Sequence, residues 1–141
     1  MSAVKGWRGA LRIGDTEAAL DTASDEPYID RVETNIDGGL EALYQLGSRL
    51  PQEINEGNVS MSVRITKKYV DNTWAGYAGV GQSDMVPPTK YLGIYPMGYE
   101  SGKPKIVCKG KFGSWRLNVA QDGYVTETLE FVVESVSVGV I

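Results

Sequence analysis

Residues 58–66 read NVSMSVRIT, and their alternation decides the fold class. Val59, Met61, Val63 and Ile65 take every second position, with Ser60, Ser62, Arg64 and Thr66 between them. Side chains two apart lie on the same side of an extended chain, so this segment has one apolar and one polar face. The same period returns at Trp7, Gly9, Leu11 and Ile13, and over residues 91–95, 104–111, 114–120 and 126–138. Glycine-containing turns, among them residues 98–102 and Asp122-Gly123, separate these runs. The pattern predicts a mainly β protein.

Helical spacing is scarce. Leu40, Leu43 and Tyr44 are placed i, i+3, i+4, but Gly38, Gly39 and Gly47 confine any helix there to about two turns. Residues 69–77 are the better candidate, with Asp71 or Asn72 as cap and Trp74 and Tyr77 on one face. The expectation is one short helix beside a sheet. Residues 15–56 form a long acidic excursion before the best strand, with only a modest strand signal over 28–36.

A chain of 141 residues fits a single domain over 1–141, able to bury a core without disulfides or a structural metal. With 42% hydrophobic and 23% charged residues it is not wholesale disordered. No segment reaches the ~20 apolar residues needed to cross a bilayer, so a cytosolic origin and no membrane partner are expected. Asn58-Val59-Ser60 matches a glycosylation triplet by chance. The lone Cys108 sits in an alternating apolar run and reads as a small buried hydrophobe.

The chain has no histidine, which removes Ser-His-Asp and Cys-His catalysis and imidazole metal sites. Gly79-Val80-Gly81 lacks the final glycine and the preceding strand of a dinucleotide loop. A calcium loop starting at Asp71 fails because Ala75 and Tyr77 fall among the ligand positions and Gln82 stands where a bidentate Glu is required. Nothing singles out a catalytic pair among the eighteen acidic residues. Catalytic, metal and cofactor residues are therefore all expected to be absent.

Net charge is −4, but its distribution says more. Residues 15–56 hold eleven acidic and two basic side chains, a balance of −9, whereas residues 64–116 hold nine basic and three acidic, a balance of +6. Lys103, Lys105, Lys109 and Lys111 alternate along one strand face, where they either meet phosphate or, the favoured reading, solvate the sheet. Leu40, Leu43, Tyr44 and Leu46, with Arg49 and Pro51 beside them, lie between glycines in the acidic excursion. A patch of this composition marks a partner surface or folds back on its own core. On the residues alone these two readings stand level.

The run YQLGSRLPQEINEGNVSMSVRITKKYVDN (44–72), followed by KYLGIYPMG (90–98) and GYVTETLEFVVESVSV (123–138), resembles the major tail tube proteins of tailed phages and archaeal tailed viruses. The resemblance is strongest over 28–72 and in the last strand, and does not extend to 73–88. It implies a β-sandwich or barrel of the tail-tube type with one short α-helix and a long inter-subunit loop. It further implies a virion structural protein and no enzyme. Six copies would form a ring, and stacked rings a tube through which DNA passes without sequence-specific binding. Partners would be further copies and other tail proteins, such as tape measure, tail tip or baseplate, and terminator. By position the assembly loop falls on Leu40, Leu43, Tyr44, Leu46, Arg49 and Pro51, which favours the inter-subunit reading. Lys105 and Lys109 are then candidates for charge-paired stacking against the acidic excursion of another subunit. Two alternatives remain: the inner tube of a contractile injection or secretion apparatus, and a monomeric β-barrel binding a small ligand or carbohydrate on Trp7, Trp74 or Trp115.

Overall fold

The computed structural model describes residues 5–44, 46–47, 49–55 and 58–141, with the backbone alone at 44, 51, 52 and 55. In chain order the elements are β1 (Ala10–Gly14), α1 (Glu17–Thr22), β2 (Ile29–Asp37), β3 (Glu41–Tyr44), β4 (Pro51–Asn55), β5 (Ser60–Lys68), α2 (Thr73–Tyr77), β6 (Lys90–Tyr95), β7 (Pro104–Asn118) and β8 (Thr126–Val140). Six strands make one antiparallel sheet in the order β1-β6-β7-β8-β5-β2, and β3 and β4 pair only with each other.

The two long strands turn this sheet into a sandwich. Near its start β7 pairs with β6 over Ile106–Gly110, and near its start β8 pairs with β5 over Thr126–Val132. Between these regions the β7–β8 ladder skips Glu134 and then Gly113, which are two bulges. A bulge bends its strand and strengthens the local twist, so β7 and β8 pass from one half of the sheet to the other. The first half is β1, β6, the start of β7 and the end of β8; the second is β2, β5, the start of β8 and the end of β7. Gly110 sits at the corner, where a Cβ would collide with the Val132 carbonyl oxygen.

The core lies between the halves. Leu11, Ile13, Leu92 and Cys108 come from the first, Val63, Ile65, Leu129 and Phe131 from the second, and Phe112 joins them. Helix α2 adds Trp74, whose ring meets Phe112 edge-on at 5.6 Å, and Phe112 meets Phe131 at 4.9 Å. Each such ring removed from water contributes about 1.5–3 kcal/mol. Helix α1 covers the other face of the first half, with Leu20 only 1% exposed beside Tyr95 and Val107.

The fold class is the expected one, and four details differ. The first strand begins at Ala10, because Gly6–Arg8 make a 3-10 turn that leaves Trp7 77% exposed. Runs 104–111 and 114–120, expected as two strands, are the single β7, since Gly113 makes a bulge and no turn. There are two α-helices among the described residues. The short α1 carries one buried anchor, too few to show a helical period, and starts where the Thr16 hydroxyl accepts from the Ala19 N–H at 3.2 Å. Helix α2 lies within the expected stretch, with Asp71 accepting the Thr73 N–H at 3.0 Å. Lastly, Leu40–Tyr44 contributes no helix: Gly39 takes φ +61° and residues 41–44 run extended, paired across a hairpin to 51–55.

Candidate assembly surface

The β3–β4 hairpin is built from the same residues that carry the apolar cluster. Glu41 lies opposite Asn55, Ala42 opposite Ile54, Leu43 opposite Glu53, and Tyr44 opposite Pro51 after a one-residue shift. The Asp37 carboxylate accepts the Gly39 N–H at 2.9 Å and fixes the entry to the hairpin. Gly39 fits closely there, since a Cβ would strike the Asn58 carbonyl oxygen. Leu46, at the tip, is fully exposed, and Leu40, Leu43 and Ile54 are also exposed. Arg49 is exposed too. The side chains of Tyr44 and Pro51 lie outside the described residues. Single exposed leucines are ordinary; a hairpin carrying several has the character of a contact surface.

The two basic candidates lie elsewhere. Lys105 and Lys109 flank Val107 on the face of β7 opposite Ile106 and Cys108. Lys105 lines a cleft with Glu17 and Asp21 of α1, and the Lys109 ammonium stands 6.0 Å from the Tyr91 ring centre. Much of the acidic segment is paired within the chain: Asp15 with Lys90, Asp25 with Arg12 at 2.7 Å and Asp30 with Lys68 at 2.6 Å. Arg12 also stacks 3.6 Å over Tyr99, whose hydroxyl donates to Asp21 at 2.9 Å. The charge asymmetry of the sequence thus partly closes on itself in the fold, while Glu41 and Glu53 of the hairpin stay exposed.

One polar cluster that periodicity did not disclose is buried. Lys67 donates to Glu127 at 2.9 Å, with side chains 4% and 0% exposed. The second Glu127 oxygen accepts the Trp115 N–H at 2.8 Å, and the Lys67 ammonium lies 5.3 Å from the Trp74 ring centre. Every buried side-chain polar atom among the described residues has a partner, so this cluster offers no orphan group to a ligand. Glu26 borders it. Burial pushes its carboxyl above the usual carboxylate range, partly offset by Lys67 and by a hydrogen bond to Trp74. The three tryptophans make no shared platform: Trp74 is in the core, Trp115 is tied to Glu127, and Trp7 stands exposed in the N-terminal turn. No group of three or more Cys, Asp or Glu among the described residues is arranged to hold a metal, and no helix among them is long and apolar enough to cross a membrane.

No family model matches the chain, and no curated protein matches its sequence. Solved structures do match its shape. The SPP1 tail tube superimposes over 99% of this chain and 80% of its own, with a TM-score of 0.73 at 10% identity. The tube–sheath complex of the extracellular contractile injection system PVC gives 0.68 at 10% identity over 99% of this chain and 93% of the other. The tail of the empty gene transfer agent particle, solved with C6 symmetry, gives 0.65 at 10% identity over 99% of both chains. Shared shape at such low identity speaks of fold, and the fold of this chain is that of tail-tube proteins.

Proposed function

We propose that this chain is a structural protein of a virion tail: the major tail tube subunit, a single domain over 1–141 that performs no catalysis. Six copies make a ring and the rings stack into a tube whose channel conducts DNA without reading its sequence. The observation that carries this reading is the superposition of nearly the whole chain on tubes from three kinds of particle, one of them six-fold symmetric. The exposed hairpin supports it, because Leu40, Leu43 and Leu46 are costly in water and a neighbouring copy would cover them. Tyr44, Arg49 and Pro51 belong to the same arm. Lys105 and Lys109 provide a basic face toward which the acidic arm of another subunit is steered. Assembly takes place in the host cytoplasm, with tape measure, tip or baseplate, and terminator proteins as further partners.

The likeness to the PVC tube supports a second reading, the inner tube of a contractile injection apparatus. Capsid, portal and tape-measure genes beside this one identify the virus; sheath and toxin-loading genes without a capsid identify the injection apparatus. The shared element of both readings is tested by Leu43→Asp with Leu46→Asp. The expected product is a folded monomer that makes no tubes, and normal tubes from the double variant would remove the hairpin from the assembly.

A further inference from the structure

The β5–β8 ladder sets Lys67 directly opposite Glu127 on its core-facing side. The next pairs along that face are Ile65 with Leu129 and Val63 with Phe131, all fully buried. Antiparallel pairing fixes both backbones, and the side chains bring the Lys67 Nζ to 2.9 Å from the Glu127 Oε1 in a setting almost free of water.

The hydrogen bonds around this pair are few for two charges. An ammonium carries three N–H donors, and among the described residues this one makes a single hydrogen bond, to Glu127, with the Trp74 ring as its other neighbour. A carboxylate offers about four acceptor sites, and Glu127 receives two donors, Lys67 on Oε1 and the Trp115 N–H on Oε2. A secondary amide at the same place needs less: one partner for its carbonyl oxygen, which Trp115 already supplies, and one for its N–H. It is also neutral, so the cost of holding two ions away from water disappears. Ile65, Leu129 and Trp74 keep out the water that hydrolysis would need.

We propose that Lys67 and Glu127 condense in the folded chain into an isopeptide bond, a covalent staple between β5 and β8. One proton passes along the hydrogen bond from Nζ to Oε1, which leaves an amine facing a carboxyl. The Nζ lone pair attacks Glu127 Cδ, and the Trp115 N–H stabilises the charge that gathers on Oε2. Oε1 takes a second proton from the nitrogen and departs as water. The N–C bond replaces the C–Oε1 bond, one hydrogen stays on Nζ, and Oε2 becomes the amide carbonyl. Nothing is oxidised or reduced, and no co-reactant is consumed. The step happens once per chain, with no turnover, and does not depend on assembly. The structure holds the pair before this step, so the freshly folded chain is the ion-paired one. The product links positions 60 apart in the sequence and so restrains the unfolded chain as a disulfide would.

Mass spectrometry of the purified chain, kept folded at physiological temperature for several days, tests it. A species lighter by one water is expected to accumulate. Trypsin cuts after Arg64, Lys68 and Arg116 but not after an acylated lysine, so it should release residues 65–68 joined to residues 117–141. The joined peptide decides, because a succinimide at Asp122-Gly123 also loses one water. Lys67→Arg keeps the cation without the nucleophile and should show no joined peptide. Glu127→Gln should reach the identical product by losing ammonia. If either variant fails to fold, the wild-type peptide map decides alone. Unjoined peptides throughout, from a chain that stayed folded, overturn the inference. So does a water loss confined to residues 117–141, or one that persists in Lys67→Arg.

Discussion

The Lys67 ammonium and the Glu127 carboxylate meet at 2.9 Å with both side chains out of water. They lie directly opposite each other across β5 and β8, on the face whose next cross-strand pair is Ile65 and Leu129. A charge at that depth is stable only while paired. Lys67→Met alone is expected to cost about 3–5 kcal/mol by chemical denaturation, because Glu127 is left buried with Trp115 as its remaining donor. Adding Glu127→Leu should recover most of that loss. A double variant no more stable than the single one would show that the pair itself, and not the stranded carboxylate, carries the stability.

Glu26 gives the fold a pH dependence of known sign. Burial raises its carboxyl above the ordinary 4.5, so the folded chain holds this proton more tightly than the unfolded one. The resulting stability is complete below the unfolded value and is lost as pH rises through the folded value. Glu26→Gln should therefore raise Tm at pH 7 and leave it nearly unchanged at pH 4. Equal shifts at both pH values would assign the effect to packing.

Cys108 is fully buried, and burial pushes its thiol up to about 11. Nucleophilic attack requires the thiolate, so the native protein should leave an aromatic disulfide reagent unreacted at pH 8. One thiol per chain should appear on unfolding in guanidinium. Rapid labelling of the native protein would mean that the sandwich opens around β7 far more often than its packing implies.

Steering by charge is testable apart from apolar docking. Lys105→Glu with Lys109→Glu, or sodium chloride raised well above physiological strength, should slow tube formation and leave the circular dichroism spectrum unchanged. Lys105 already shares a cleft with Glu17 and Asp21 of its own α1, so the effect should be on rate more than on the final extent. Assembly indifferent to both changes would remove these lysines from the contact.

The strands were legible in the sequence because each buries one face, and period 2 records that directly. Residues 58–66 show it without interference, whereas β6 is covered on both faces, with Leu92 in the core and Tyr95 under α1. The corner was not legible: the bulges at Gly113 and Glu134 shift the phase by one residue, which reads as a break between strands when each strand is taken alone. Helix α1 escaped because a six-residue helix with one buried leucine has no period to show. In the candidate surface, Leu40, Leu43 and Leu46 are exposed as their place between glycines suggested, but the i, i+3, i+4 spacing of Leu40, Leu43 and Tyr44 suggested the wrong element. Gly39 at positive φ and the partner strand at 51–55 decide for a hairpin. The exposed end of β8 was hidden for a different reason. Val136, Val138 and Val140 alternate just as core residues do, and only the pairing shows that the core ends before them.

Whether this chain builds a hollow tube from copies of itself is decided by negative-stain electron microscopy of the purified protein at rising concentration. Long tubes with an axial channel, and six-fold symmetry in end views, are expected. Particles that stay monomeric at the highest concentration, with Leu43 and Leu46 as wild type, would contradict it.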